Sequence, residues 1–410
     1  MNYIKFIFGF IFTLSLNAFA EEFPFDTSTG SKDEIEKGFS TKAGLQDTEK
    51  EKLNSDKLAI GGSLRNDLNV FKLEGSPNSD FIQNPTNLTL YLDSKLNDEV
   101  RGFFRGRLTY DSTVDPTTST PSILGFIPSK SLSQLDEMKI QFQIMKTIFV
   151  SMGVQKIKWG SGHFWNPTDF LNRRPKDIFD SEDRRAGLDL LKLHLPWESM
   201  NFYAISDLTS ANETKKIGTA LRAEIPLPKA LTSGELCLSS YSKSGIATKY
   251  GADVSMSLGI FDVNLEASKT KENKSSSAVA GISYDLQYSD EDLLNITYES
   301  YWNESGAKSV DDYAALLIAN KFIPLQIAKS YHLLSLFLPK PGSLQHSDFL
   351  IMLIQNGIDK SNYARLGYTW TGIRDLTLTF FIGTRSGTTL SEMRFGGQSH
   401  DYALRTEIKF

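Results

Sequence analysis

From Leu58 onward the chain alternates apolar and polar residues over runs of about ten, and this period of two predicts strands, not helices. A run of that length lets a tilted strand cross a hydrocarbon layer, with one face in lipid and the other in water. Strands in one direction are expected at 58–73, 99–111, 148–158, 200–206, 234–241, 261–269, 292–301, 347–356 and 374–384. Returning strands are expected at 86–96, 136–146, 187–195, 216–226, 251–257, 277–288, 330–338, 361–370 and 401–410. The pattern therefore predicts an all-β fold, a transmembrane antiparallel β-barrel of about 18 strands (16–18). The breaks keep the same parity. Those at 97–98, 146–147, 196–199, 258–260, 289–291 and 371–373 are short, whereas 112–135, 159–186, 302–329 and 385–400 are long and polar; 227–233 and 339–346, on the short side, are of middling length. Residues 311–322 break the strand period and predict a short helix within an external loop.

The rows assigned to lipid are Leu88, Leu90 and Leu92; Met138, Ile140, Phe142 and Ile144; Phe261, Val263 and Leu265; and Leu376, Leu378, Phe380 and Ile382. Tyr110, Tyr288, Tyr298 and Trp370 sit near row ends, where an aromatic ring with a polar tip suits a membrane interface. The last ten residues alternate Tyr402, Leu404, Thr406, Ile408 and Phe410 against Asp401, Ala403, Arg405, Glu407 and Lys409. This ending resembles the terminal strand of bacterial outer-membrane barrels, and the resemblance implies recognition by the barrel-assembly machinery. At the other end, Lys5, the apolar stretch 6–16 and Ala18-Phe19-Ala20 form a signal-peptide pattern, placing the mature start at Glu21. The expected organisation is a signal peptide at 1–20, a flexible periplasmic arm at 21–57 and an outer-membrane barrel at 58–410.

Composition narrows the chemistry. The formal charge of −5 excludes general nucleic-acid binding, which needs an excess of Lys and Arg. The single cysteine, Cys237, has no partner in the chain and is expected to face away from lipid as an inert small residue. The five histidines form no ligand-spaced cluster, so no metal or cofactor is expected.

A ring of about eighteen strands leaves an aqueous interior. The inward rows predict a basic wall of Arg101, Arg105 and Arg107 on the third strand. An acidic wall of Asp253, Asp262, Glu266, Asp285 and Glu299 is predicted on the tenth to thirteenth. Third and twelfth strands lie opposite in such a ring, so the walls would set a transverse field across the lumen. The loop after the fifth strand holds Trp159, Gly160, Gly162, Phe164, Trp165, Asn166, Pro167, Asp169 and Phe170, then Arg173, Arg174, Arg184 and Arg185. It is too apolar to stay in water, so it is expected to fold inward as a constriction or to cap the mouth.

The string W-G-x-G-x-x-x-N-P-x-D at 159–169, with the Arg- and Asp-rich stretch behind it, resembles a motif of poorly characterised porin-like outer-membrane proteins. The resemblance implies a porin-type barrel and brings no substrate or catalytic residue. The expected function is a channel for passive or facilitated diffusion of small hydrophilic solutes across the outer membrane, with lipid and lipopolysaccharide around it. Trimers are common among porins, but no stripe of small residues marks an interface here. The alternative is a plugged barrel acting as a surface, adhesion or structural protein. An enzyme built on Ser161, His163 and Asp169 is not expected, because nearness in sequence does not make three groups converge.

Overall fold

Eighteen strands close into one antiparallel ring because each run meets its sequence neighbour through a full hydrogen-bonded ladder and the last run returns to the first. The computed structural model describes residues 58–410 except 75–80, 98, 115–129, 173, 180–182, 229–232, 272–274, 291, 319–322 and 395–396. The expected signal peptide, the arm and Arg173 lie outside the described residues.

The first half of the ring is β1 (Leu58–Leu73), β2 (Phe81–Gln83 and, after Asn84, Pro85–Lys95), β3 (Val100–Asp111), β4 (Ser131–Ile144), β5 (Ile148–Gln155), β6 (Leu188–Trp197), β7 (Met200–Asp207), β8 (Gly218–Pro226) and β9 (Ser233–Lys243). The second half is β10 (Ile246–Leu258), β11 (Phe261–Thr270), β12 (Ser276–Gln287), β13 (Leu293–Asn303), β14 (Ser330–Pro339), β15 (Ser347–Asn356), β16 (Asn362–Ile373), β17 (Leu376–Ser386) and β18 (Gln398–Lys409). Both parts of β2 pair with β1, so they form one broken strand. Register from Ser63↔Lys409 to Leu73↔Gln398 closes the ring, and Gly62 and Phe410 exchange backbone hydrogen bonds beyond it. A closed ring leaves no unpaired edge, which a chain in lipid requires.

Every expected strand has a counterpart. β4 begins at Ser131 instead of 136 and β10 at Ile246 instead of 251, since both extend past the apolar run at the loop end. β5 stops at Gln155, because Ile157 and Trp159 leave the ladder and pack inside the ring. The helix expected at 311–322 is α1 (Asp311–Ile318), with Asp312 accepting the amides of Lys308 and Ser309 ahead of it. Short turns collect at one end, some on residues with left-handed angles such as Met145, Lys146 and Asp375.

Exposed Leu90, Leu92, Met138, Ile140, Leu265, Phe380 and Ile382 cover the outer face, as alternation predicts. Burial is concentrated inside the ring. Two apolar clusters form where the long 156–187 connection meets the inner wall, one on β6–β9 around Leu190 and Ile205, the other on β12–β16 around Tyr331, Leu333 and Met352.

Candidate functional site

The motif at 159–169 is a folded unit that the inner wall holds by its backbone. Asp169 Oδ1 accepts the Trp159 amide at 3.4 Å, and Asn166 Nδ2 donates to the Gly162 carbonyl at 2.7 Å. The string thus closes on itself. Glu266 on β11 accepts the amides of Gly162 and Thr168. Glu299 on β13 accepts those of His163, Phe164 and Trp165 at 2.7, 3.0 and 2.8 Å. Successive backbone N–H groups wrapped on a carboxylate form an anion nest, here with the wall supplying the anion. Gly160 has a φ of +102°, and a Cβ there would lie 2.5 Å from Glu266 Oε2, so only glycine lets the loop approach this carboxylate. Gly160→Ala is therefore expected to unseat this part of the loop while the strand ladder stays intact. Limited proteolysis between 159 and 185, with unchanged heat resistance of the barrel, checks it.

Side chains anchor the same segment. Trp165 is 1% exposed, stacks on Tyr301 and Tyr331 at 5.6 and 5.9 Å, and donates Nε1–H to the Leu325 carbonyl. Trp159 and Phe170 pack on β6–β9, and Phe179 meets Tyr363 on β16 edge-on at 5.2 Å. On the return, the Arg184 carbonyl accepts Arg107 and Gln134 from β3 and β4. The segment therefore touches the inner wall from β6 round to β16 and again at β3–β4, and it forms a collar inside the ring.

The predicted site residues divide by role. Arg101, Arg105, Arg107, Asp253, Asp262, Glu266, Asp285 and Glu299 all fall on the inward register. The two walls are not bare, however, as the transverse field requires. Arg101 pairs with Asp93, Arg107 with Asp136 and Asp253 with Arg222, while Asp262 accepts Ser257 and Asp285 accepts Asn295. Arg101, Arg107 and Asp253 are matched by partners one or two strands away, while the donors to Asp262 and Asp285 are neutral, so none of these contacts crosses the lumen. Glu266 and Glu299, 3% and 0% exposed, lie under the collar instead of lining an open path. Arg185 is likewise a brace, bonded to Asp169 and Asp183, and Arg174 is exposed with its carbonyl held by Arg185.

Ser161, His163 and Asp169 do not converge. Ser161 donates to the Leu265 carbonyl, His163 Nε2 lies 3.4 Å from Ser283 Oγ, and Asp169 faces Arg185. Burial, with Lys158 and Lys176 nearby, pushes His163 down to about 4, so its imidazole is neutral at ordinary pH. Cys237 is buried on the inner wall beside Glu235. Glu224, Glu235 and Cys237 stand close together, but Arg222 already occupies Glu224.

Four inward arginines complete an arc from β16 to β3 that sequence reading did not single out: Arg365, Arg385, Arg405 and Arg65. Arg65 and Arg405 share Asp67, and Arg385 bonds Asp401 at 2.6 Å. Arg365 is 4% exposed, its Nε meets no acceptor, and its guanidinium lies 3.8 Å from the Phe381 ring centre and 5.1 Å from that of Phe179. A recess between Phe71, Phe179, Tyr363, Arg365 and Arg385 opens beside the collar. Alternation in β18, which puts Arg405 on the wet face, was the signal available for this arc.

No protein-family model matches the chain, and no curated protein does. Among solved structures it is similar to OccAB4 of Acinetobacter baumannii, with a TM-score of 0.57 and 7% identity over 87% of this chain and 98% of that one. OccK9 (OpdG) of Pseudomonas aeruginosa gives 0.56 and 9% over 86% and 98%, and a BenF-like porin of Pseudomonas fluorescens Pf-5 gives 0.57 and 10% over 87% and 99%. The chain shares their fold. That fold is a closed antiparallel barrel, and in this chain the 156–187 connection lies inside it.

Proposed function

We propose that this porin-like barrel is an outer-membrane channel for passive or facilitated diffusion of small hydrophilic solutes, with a preference for anions. The observation that carries the reading is the uneven filling of the lumen. The collar covers the acidic wall on β11–β13 and packs on the apolar wall of β14 and β15, while the recess at Arg365 and Arg385 opens beside it on the arginine arc. The arc sets Arg365, Arg385, Arg405 and Arg65 against three carboxylates, Asp401, Asp67 and Glu407, so positive charge is in excess beside the recess that Arg365 and Arg385 line. The description of one fold relative as a porin supports the channel reading. The apolar outer face and the terminal strand support an outer-membrane setting, with lipid around the wall and assembly through the C-terminal strand.

A second reading is a plugged surface barrel, favoured by the burial of Phe164 and Trp165 inside the ring. Planar-bilayer recording of the refolded mature protein under a salt gradient separates the two. Stepwise ohmic openings with an anion-selective reversal potential are the expected result. A correctly inserted but silent barrel would favour the plug, and cation selectivity would overturn the role given to the arginine arc.

A further inference from the structure

Outside the collar, the loop end of the barrel holds two carboxylates whose hydrogen-bond partners are all neutral. Glu392, in the 387–397 connection between β17 and β18, is 0% exposed. Its Oε1 accepts the Leu325 amide at 2.6 Å, and its Oε2 accepts Tyr331 Oη and Asn356 Nδ2, both at 2.7 Å. Asp359, in the β15–β16 turn, accepts the Glu392 amide at 2.7 Å and Tyr313 Oη at 2.9 Å, and its other oxygen accepts the amide and hydroxyl of Ser361. Asn356 also donates to Tyr313 Oη, which joins the two acids through α1.

Four elements meet here, and among the described residues none turns a cation toward the pair. The groups facing Glu392 are Tyr331 on β14, Tyr313 on α1, Asp359 on the β15–β16 turn, and the neutral Asn356 and Leu325. The nearby bases point elsewhere: Lys360 Nζ donates to the Gly357 carbonyl, and Arg394 bonds Glu74 and the Gly387 carbonyl. Hydrogen bonds from neutral donors stabilise one buried negative charge, but two facing charges without a counter-ion repel at low effective dielectric.

We infer that Glu392 and Asp359 form a proton-operated latch that seats the 387–394 segment on the mouth of the barrel and loosens it when both carboxylates are charged. The inference rests on the channel reading for its consequence, though not for its mechanism. Seating matters to the path because the loop carries Met393, which shares one buried cluster with Ile178 and Phe179 of the collar, and because Glu392 holds Leu325, whose carbonyl receives the Trp165 indole.

The direction follows from linkage. Burial, opposed by the Tyr331 and Leu325 hydrogen bonds and reinforced by Asp359, lifts Glu392 from 4.5 to about 7. A carboxyl raised in the seated state favours seating most below its free value, and that contribution is lost as the pH rises through the seated value. The loop is therefore held in acid and loosens on the alkaline side.

The test uses the full mature protein with Cys237→Ser and Leu390→Cys, carrying an environment-sensitive dye at position 390, where the side chain is exposed. Dye emission and single-channel conductance are followed together between about pH 5 and pH 9. The expected result is a dye transition with a midpoint near 7 and a parallel rise in conductance. Glu392→Gln should flatten both, and Asp359→Asn should move the midpoint toward acid by about one unit. A wild-type profile in both variants overturns the latch. A Glu392-dependent dye transition in a barrel without conductance keeps the latch and overturns the channel reading, so the two failures are distinguishable.

Discussion

Replacing Glu266 and Glu299 together by alanine is expected to raise the unit conductance several-fold, because these carboxylates accept five backbone amides of the collar. At about 1 kcal/mol net for each hydrogen bond, the five contribute roughly 5 kcal/mol. Burial of Phe164 and Trp165 supplies about 1.5–3 kcal/mol per side chain, a comparable sum. Neither set alone dominates, so loss of the carboxylates should leave the collar hanging by its aromatic anchors and partly displaced. Glutamine at both positions keeps one acceptor oxygen in each nest and should give an intermediate conductance. The ladder between strands is untouched, so heat resistance of the barrel should not change. An unaltered conductance in the double alanine variant would mean that the narrowest part of the path lies elsewhere.

The second large effect concerns charge. In the double variant Arg365→Gln, Arg405→Gln, the two arginine-bonded carboxylates of the arc each keep one arginine: Asp401 retains Arg385 and Asp67 retains Arg65. Folding should therefore survive, which is not expected when Arg385 is removed and Asp401 loses its bonded partner. A unit charge about 4 Å from a passing ion is worth about 1 kcal/mol even in bulk water, or roughly a five-fold change in occupancy. Loss of two should shift the reversal potential toward cations well beyond measurement error, more at low salt than at high salt. Arg101→Gln, Arg105→Gln and Arg107→Gln together should do less, since Arg101 and Arg107 are already matched by Asp93 and Asp136. If the order of the two effects is reversed, the path runs along β3 and not along β16–β18.

The sequence reached the ring closely because lipid imposes a rule that acts residue by residue. Leu88, Ile140, Leu265 and Phe380 alternate with polar residues whatever the rest of the chain does, and turn length follows from parity. It also marked 159–185 as a segment unfit for water, since four large aromatics cannot stay solvated. What alternation did not announce was the inner wall of β14 and β15. There Leu333, Leu350, Met352 and Ile354 face inward beside outward Leu334, Ile351 and Leu353, so both faces are apolar, the mark of a strand covered on both sides.

The sequence by itself determined a ring of about eighteen strands, the inward and outward faces, and a loop at 159–185 that must leave water, since each depends on local period and solvation. Only the tertiary structure decided that Glu266 and Glu299 hold the collar instead of lining the path, and that Arg65, Arg365, Arg385 and Arg405 form one arc. It alone brought Glu392 up against Asp359. These partners lie tens to hundreds of residues apart, and closure of the ring sets which of them meet.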